Sequence, residues 1–123
     1  MIDVVMCIRK RADLTDEEFH RYWREDHASL VRRHADKIGV RRYVQHHTAE
    51  TGLEAIVQDP RGCPHEAFDG VAVITFDSLD DMAAKGAEPD ALAAAEELLE
   101  DERRFMDHGQ SLIWFTDHHD VIG

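Results

Sequence analysis

Apolar residues are concentrated in four short stretches of the chain, each bounded by polar residues, glycine or proline. Residues 2–8, IDVVMCI, are β-branched or apolar on both alternating faces, which is typical of a strand. Residues 40–48, 71–76 and 110–116 have the same short, β-branched or aromatic character. The pattern therefore predicts a sheet of four strands.

Helical periodicity lies between these stretches. Thr15 and Glu18 have the spacing of a capping box, and the apolar stripe that follows predicts a first helix over residues 15–36. A second helix is predicted over residues 89–106, after a short helical segment that Gly86 interrupts. The inward stripe of the first helix contains Phe19, Trp23, His27, Leu30 and His34, and that of the second contains Leu92, Ala95, Leu98, Leu99, Phe105 and Met106.

The order of these elements is βαββαβ, which predicts an α+β fold of the ferredoxin-like type, with an antiparallel four-stranded sheet in a single domain over residues 1–123. Residues 49–69 show no dominant period and contain two prolines and two glycines, so they are predicted to form a long loop with a helical turn near residues 53–57. Long loops in compact domains are often binding loops.

Both faces of the predicted sheet are apolar, because the first and fourth strands alternate one apolar set with another. Two helices can cover only one face, and an uncovered sheet face normally carries polar side chains. We therefore expect a homodimer in which the second copy covers the other sheet face. The alternative is that the loop of residues 49–69 folds over that face.

Composition narrows the classes of partner. Lysine and arginine number 14 and aspartate and glutamate 26, so the formal charge of −12 would repel nucleic acid. No segment has the length and hydropathy of a membrane span, and Met1-Ile2-Asp3 does not resemble a leader peptide. Cys7 and Cys63 are interpreted as free thiols. The sequence predicts a cytoplasmic protein that contacts neither membrane nor nucleic acid.

His27 is the strongest candidate for acid–base chemistry, because it lies on an apolar helix face and imidazole exchanges a proton near neutral pH. A buried histidine bonded to a backbone carbonyl is the alternative. Tyr43, Gln45 and His47 alternate along the second strand, so their side chains share one face and either line a pocket or form a polar sheet margin. Trp23 lies one helical turn before His27 and should border the same pocket.

The sequence pattern predicts structural roles for the carboxylates near the end of the second helix. Glu102 falls within the apolar stripe, where it needs a partner, and Arg42 or a histidine of the first helix is expected to supply it. A catalytic acid is the alternative for Glu102. The neighbouring carboxylates are predicted to form a solvated face: Glu96, Glu97, Glu100 and Asp101.

Histidines recur at positions 20, 27 and 34, a spacing that suggests a metal site only at first sight. A seven-residue helical rise is about 10.5 Å, which is too long for two ligands of one zinc ion. We therefore expect no metal site. One of these histidines could still be an axial haem ligand, although no other haem motif is present, and no cofactor is predicted.

Five segments of the chain combine distinctive residues: Phe19-x-x-Tyr22-Trp23-x-x-x-His27-Ala28, Arg42-Tyr43-Val44-Gln45-x-His47, Arg61-Gly62, Asp69-Gly70-Val71 and Asp101-Glu102-x-x-Phe105-x-Asp107. Together these segments resemble the EthD-type family of small dimeric α+β barrel proteins. The resemblance implies the barrel fold and dimerisation, and a reaction only loosely, since relatives include cofactor-independent monooxygenases, polyketide cyclases and dehydratases, an isomerase and haem enzymes. The isomerase and cyclase relatives place a histidine of the first helix and a tyrosine of the second strand around the substrate.

Two functions fit these observations. The first is a cofactor-independent lyase, cyclase, dehydratase or isomerase for an aromatic or polyketide-like substrate, and the second is a non-catalytic ligand-binding or accessory dimer of a degradation pathway. In the first, His27 and Tyr43 are the expected catalytic residues. The expected substrate-binding residues are Trp23, Gln45, His47, Arg61 and Phe76.

Overall fold

Four antiparallel strands form the sheet in the computed structural model, which describes residues 1–123. The strands are β1 (Ile2–Ile8), β2 (Arg42–His47), β3 (Gly70–Phe76) and β4 (Leu112–Thr116). Their spatial order is β2-β3-β1-β4, with β1 paired to both β3 and β4. The predicted ferredoxin-like α+β fold is confirmed.

The two faces of the sheet have different surroundings. Met6 of β1 lies opposite Ala72 of β3, and both are buried against the helices in the main apolar core. Because side chains alternate along a strand, the opposite face carries Asp3, Val5 and Cys7 of β1, and no helix covers it. These faces are called the helix side and the open face.

The first predicted helix comprises three segments in direct succession. Helix α1 (Asp16–Tyr22) begins at Thr15 with the predicted capping box, a π-helical segment follows at Trp23–His27, and α2 (Ala28–Ile38) ends at Gly39. Gly39 has a φ of 78°, a left-handed conformation that glycine adopts without strain. The sequence indicated one regular helix, so the π segment is a correction.

The remaining helices connect the strands and cover the helix side. They are α3 (Ala55–Gln58), α4 (Leu79–Gly86) and α5 (Pro89–Glu102), with 3₁₀ turns at Asp59–Arg61 and His108–Gln110. The helical turn expected near residues 53–57 is thus displaced slightly along the chain. None of the helices combines the length and the hydrophobicity that a membrane span requires.

The buried face of α5 differs from the predicted one. Leu98 is buried as predicted, and so are Phe105 and Met106 beyond the end of the helix. Leu92 and Leu99 are instead 56% and 42% exposed, and Ala91 and Ala94 are buried. The prediction gave weight to the large leucines, but small alanine side chains let α5 approach the neighbouring elements closely. The true stripe is therefore shifted toward Ala91 and Ala94 and away from Leu92 and Leu99.

Candidate active site

A cavity of about 320 Å³ lies between the helix side of the sheet and the helices α2, α4 and α5. Fifteen of its 18 lining residues are hydrophobic, and the polar exceptions include His27 and Glu102. Small-molecule sites have this character and begin at about this volume. Four of the predicted site residues line the cavity: Trp23, His27, Tyr43 and Phe76.

His27 pairs with a carboxylate at one edge of the cavity. Its Nδ1 donates to Asp101 Oδ2 at 2.8 Å, and the imidazole is nearly completely buried. The other carboxylate oxygen, Oδ1, accepts a hydrogen bond from the Tyr22 hydroxyl at 2.6 Å. Since Nδ1 is occupied, Nε2 is the nitrogen of His27 that remains free for a ligand.

The carboxylate of Asp101 is itself only 13% exposed and is held from two sides. Burial, followed by the hydrogen bond to Asp101, raises the pKa of the Tyr22 hydroxyl to about 12. Tyr22 therefore remains protonated at neutral pH and donates continuously to the carboxylate. This arrangement fixes the orientation of Asp101 and, through it, the ring of His27.

Tyr43 brings a second polar group to the cavity from β2. Its hydroxyl oxygen accepts a hydrogen bond from Trp23 Nε1 at 3.0 Å, so the hydroxyl proton is free to bond an oxygen of a ligand. Burial raises the pKa of Tyr43, which keeps this proton in place at neutral pH. The phenol can thus act as a hydrogen-bond donor within the cavity.

Gln45 and His47 share the helix side with Tyr43, as the alternation predicts, but they line a neighbouring groove. Gln45 Nε2 donates to the carbonyl of Trp23 at 2.8 Å, and His47 Nε2 donates to Gln45 Oε1 at 2.8 Å. His47 Nδ1 lies 2.7 Å from His20 Nδ1, so one imidazole donates to the other. Gln45 thus fixes the backbone carbonyl of Trp23, and His47 fixes the side chain of Gln45.

Arg61 lies apart from the other predicted site residues. It ends the 3₁₀ turn Asp59–Arg61 and its guanidinium donates to the carbonyl of Val57 at 2.9 Å. The side chain is exposed and does not line the cavity. Because Arg61 lies in a loop without periodicity, the sequence did not indicate where its side chain would lie.

The partner predicted for Glu102 was wrong, and so was the solvated position predicted for Asp101. Glu102 lies 3.0 Å from His108, not beside Arg42 or the first helix, and its neighbour Asp101 pairs with His27 instead. The sequence pattern placed Asp101 on a solvated face because Leu92 and Leu99 were taken as part of the buried stripe of α5. Asp101 lies three residues after Leu98 and four residues before Phe105, and these spacings place it on the buried stripe. The sequence therefore contained the information needed to predict its burial.

Glu97 is exposed, as its assignment to the solvated face predicts. It bonds His34 Nε2 at 2.8 Å, although its side chain is half exposed. No group of three His, Cys, Asp or Glu side chains is arranged to hold a metal ion.

Comparison with known proteins identifies the family. The sequence profile of the EthD domain matches residues 11–109, which is most of the chain. The chain belongs to the EthD family. No curated protein sequence matches it significantly.

Solved structures share the fold at low sequence identity. An EthD family protein from Bacillus halodurans C-125 has a TM-score of 0.61 at 11% identity, over 97% of this chain and 100% of that chain. Hydroxynitrile lyase from Passiflora edulis has a TM-score of 0.60 at 11% identity, over 99% and 96%. A dimeric ferredoxin-like protein from Bacteroides fragilis has a TM-score of 0.58 at 14% identity, over 95% of each chain.

Proposed function

We propose that this EthD-family chain is a cofactor-independent lyase, cyclase, dehydratase or isomerase that acts on an aromatic or polyketide-like small molecule. The observation that carries the proposal is His27, which lines an almost entirely apolar cavity and is bonded through Nδ1 to Asp101 at 2.8 Å. An imidazole oriented by a carboxylate, with its second nitrogen free, is a recurrent arrangement for a general base.

The reaction class follows from what the free groups can do. Nε2 of His27 takes a proton from carbon or oxygen of the substrate, and the electron pair left behind forms a new double bond as a leaving group departs or as the substrate enolises. The imidazolium returns the proton to the leaving group or to another carbon, so the atoms balance. Asp101 stabilises the imidazolium, and Tyr43 donates its hydrogen bond to the substrate oxygen that gains charge.

The walls of the cavity support an apolar ring as the body of the substrate. Trp23 and Phe76 supply flat apolar surface, and burial excludes water from the reacting atoms. The lyase from Passiflora edulis demonstrates that this fold supports lyase chemistry in another protein. Gln45 and His47 contribute indirectly by holding Trp23.

The functional unit in this proposal is a homodimer joined through the open faces of two sheets. Leu112 and Trp114 of β4 lie on that face beside Val5 and Cys7, and they are 54% and 45% exposed. The protein from Bacteroides fragilis that shares the fold is described as dimeric. Both cysteines are free, which suits a cytoplasmic dimer.

Proton exchange tests the chemistry without knowledge of the natural substrate. The probe is 2-tetralone, a two-ring ketone with acidic α-protons, whose exchange with D2O is followed by NMR. We expect the wild-type protein to accelerate exchange, and we expect His27→Ala to abolish the acceleration. Asp101→Asn should lower it by about 100-fold or more, because the imidazolium loses its counter-charge.

His34→Ala is the matched control. His34 also lies on the first helix, is buried and bonds a carboxylate of α5, but it does not line the cavity. Its replacement should lower stability while leaving exchange intact. Binding of 2-tetralone without acceleration by the wild type would overturn the catalytic proposal and favour the binding-only alternative.

A further inference from the structure

A groove of about 470 Å³ lies beside the cavity and is bordered by four arginines. We call it the arginine groove. Val31, Val40 and Tyr43 line both the groove and the cavity, so these three side chains form the boundary between the two spaces. The arginines are Arg24 of the π segment, Arg32 of α2, Arg41 just before β2, and Arg42, the first residue of β2.

Three of these arginines lack a carboxylate partner. Arg41 is bound to Asp77 at 2.7 Å, but Arg24, Arg32 and Arg42 form no salt bridge and no side-chain hydrogen bond. The chain has 26 acidic residues and a formal charge of −12, so partners for arginine are abundant elsewhere on its surface. A positively charged groove that is left unpaired in so acidic a protein is suited to an external anion.

We infer that the arginine groove binds an anionic group of the same ligand whose apolar part occupies the cavity. The inference rests on the proposed function and specifies its substrate class: an aromatic or polyketide-like carboxylate, or another acid of that shape. The planar guanidinium groups of Arg24 and Arg32 can each form paired hydrogen bonds with a carboxylate. Tyr43 would lie where the apolar body joins the charged group.

The ligand's charge should also fix its direction in the site. Anchoring of the acid group in the groove leaves only the apolar end to enter the cavity, toward His27 and Phe76. A neutral molecule of the same shape lacks this restraint, so it should bind more weakly and in either orientation. Arg42 also borders a cavity on the open face, so Arg24 and Arg32 are the better residues to test.

A matched pair of fluorescent probes tests the inference. 1-Anilinonaphthalene-8-sulfonate is anionic, and N-phenyl-1-naphthylamine has the same ring system without the sulfonate. We expect the wild-type protein to prefer the sulfonate, and the preference to fall when sodium chloride is raised from about 50 to about 500 mM, because salt screens exposed charges. Arg24→Gln with Arg32→Gln should weaken sulfonate binding about tenfold and leave the neutral probe unchanged.

Arg33→Gln is the control, since Arg33 is an exposed arginine of the same helix that does not border the groove. Each single variant is also measured, with circular dichroism to verify folding. Equal binding of the two probes, or sulfonate affinity unchanged in the double variant, would overturn the inference while the cavity remained a ligand site. Failure of both probes to bind would overturn this inference together with the proposed function.

Discussion

Trp23 organises the polar side chains near the cavity. Its indole N–H donates to Tyr43, its carbonyl accepts from Gln45, and its ring lies 4.4 Å from the His47 ring between centroids. It is also one of the largest fully buried side chains of the core. One residue thus connects the apolar core with both the cavity and the arginine groove.

His47 makes stability depend on pH in a predictable direction. Burial, with smaller contributions from His20 and Arg24, lowers the pKa of His47 below its ordinary value. The unfolded chain then takes up a proton more readily than the folded one, so stability from this group is present above about pH 6.5 and is lost as pH falls through the lowered pKa. The urea midpoint of the wild type should fall more than that of His47→Gln between about pH 7.5 and 5.5.

The adjacent His46 is the control, because it borders the cavity on the open face. His46→Gln should retain the acid sensitivity of the wild type. If wild type and His47→Gln lose stability equally on acidification, the effect assigned to the His47 environment is absent.

At the scale of elements, the contact between the π segment and β3 depends on a glycine. A Cβ placed on Gly70 would overlap the ring of Trp23 and would lie 3.0 Å from the carbonyl oxygen of His46. The backbone of β3 therefore provides the space that the indole fills. The π segment that carries both Trp23 and His27 is consistent with the frequent occurrence of such turns at functional sites.

Gly70→Ala should consequently destabilise the protein by about 1–3 kcal/mol, because the added methyl group overpacks a buried contact. Gly86→Ala is the control, since nothing lies within 4 Å of a Cβ placed there and Gly86 has an ordinary helical φ. That change should be neutral or slightly stabilising. Urea unfolding measures both, and equal midpoints for the two variants would contradict the proposed Trp23 contact.

The helices and strands also show how much of the fold could be predicted from the sequence. The strands and both ends of the first helix could be predicted, because strand alternation, the capping box at Thr15 and the helix-ending Gly39 depend only on residues close together in the sequence. The π segment could not be predicted, because the four-residue spacing of Trp23 and His27 is also that of an ordinary α-helical stripe. The Asp101 pairing was missed for a different reason: leucines at 92 and 99 outweighed the alanines that set the true face of α5.

At the scale of the whole molecule, the open face is the apolar side of the sheet that no helix covers. Val73 of β3 is half buried at its centre, between Val5 of β1 and Val44 of β2. Apolar side chains in this position favour association with another sheet. The open face is distinct from the cavity, which lies on the helix side.

Light scattering of the wild type should give twice the 14.1 kDa chain mass. Val73→Lys places a charge at the centre of the open face and should shift the protein to the monomer mass, because a buried unpaired charge opposes association. Leu92→Lys, at an exposed position of α5, should remain dimeric. A monomeric wild type would rule out the sheet-face dimer.

The central claim is that His27 presents an unprotonated Nε2 to a ligand in the cavity while Asp101 holds Nδ1–H. Long-range ¹H–¹⁵N NMR at about pH 9, where imidazole is ordinarily neutral, reports this directly. The account predicts the Nδ1–H tautomer for His27 and a change in the Nε2 shift when 2-tetralone is added. An Nε2–H tautomer, or a bound ligand that leaves the Nε2 shift unchanged, would contradict it.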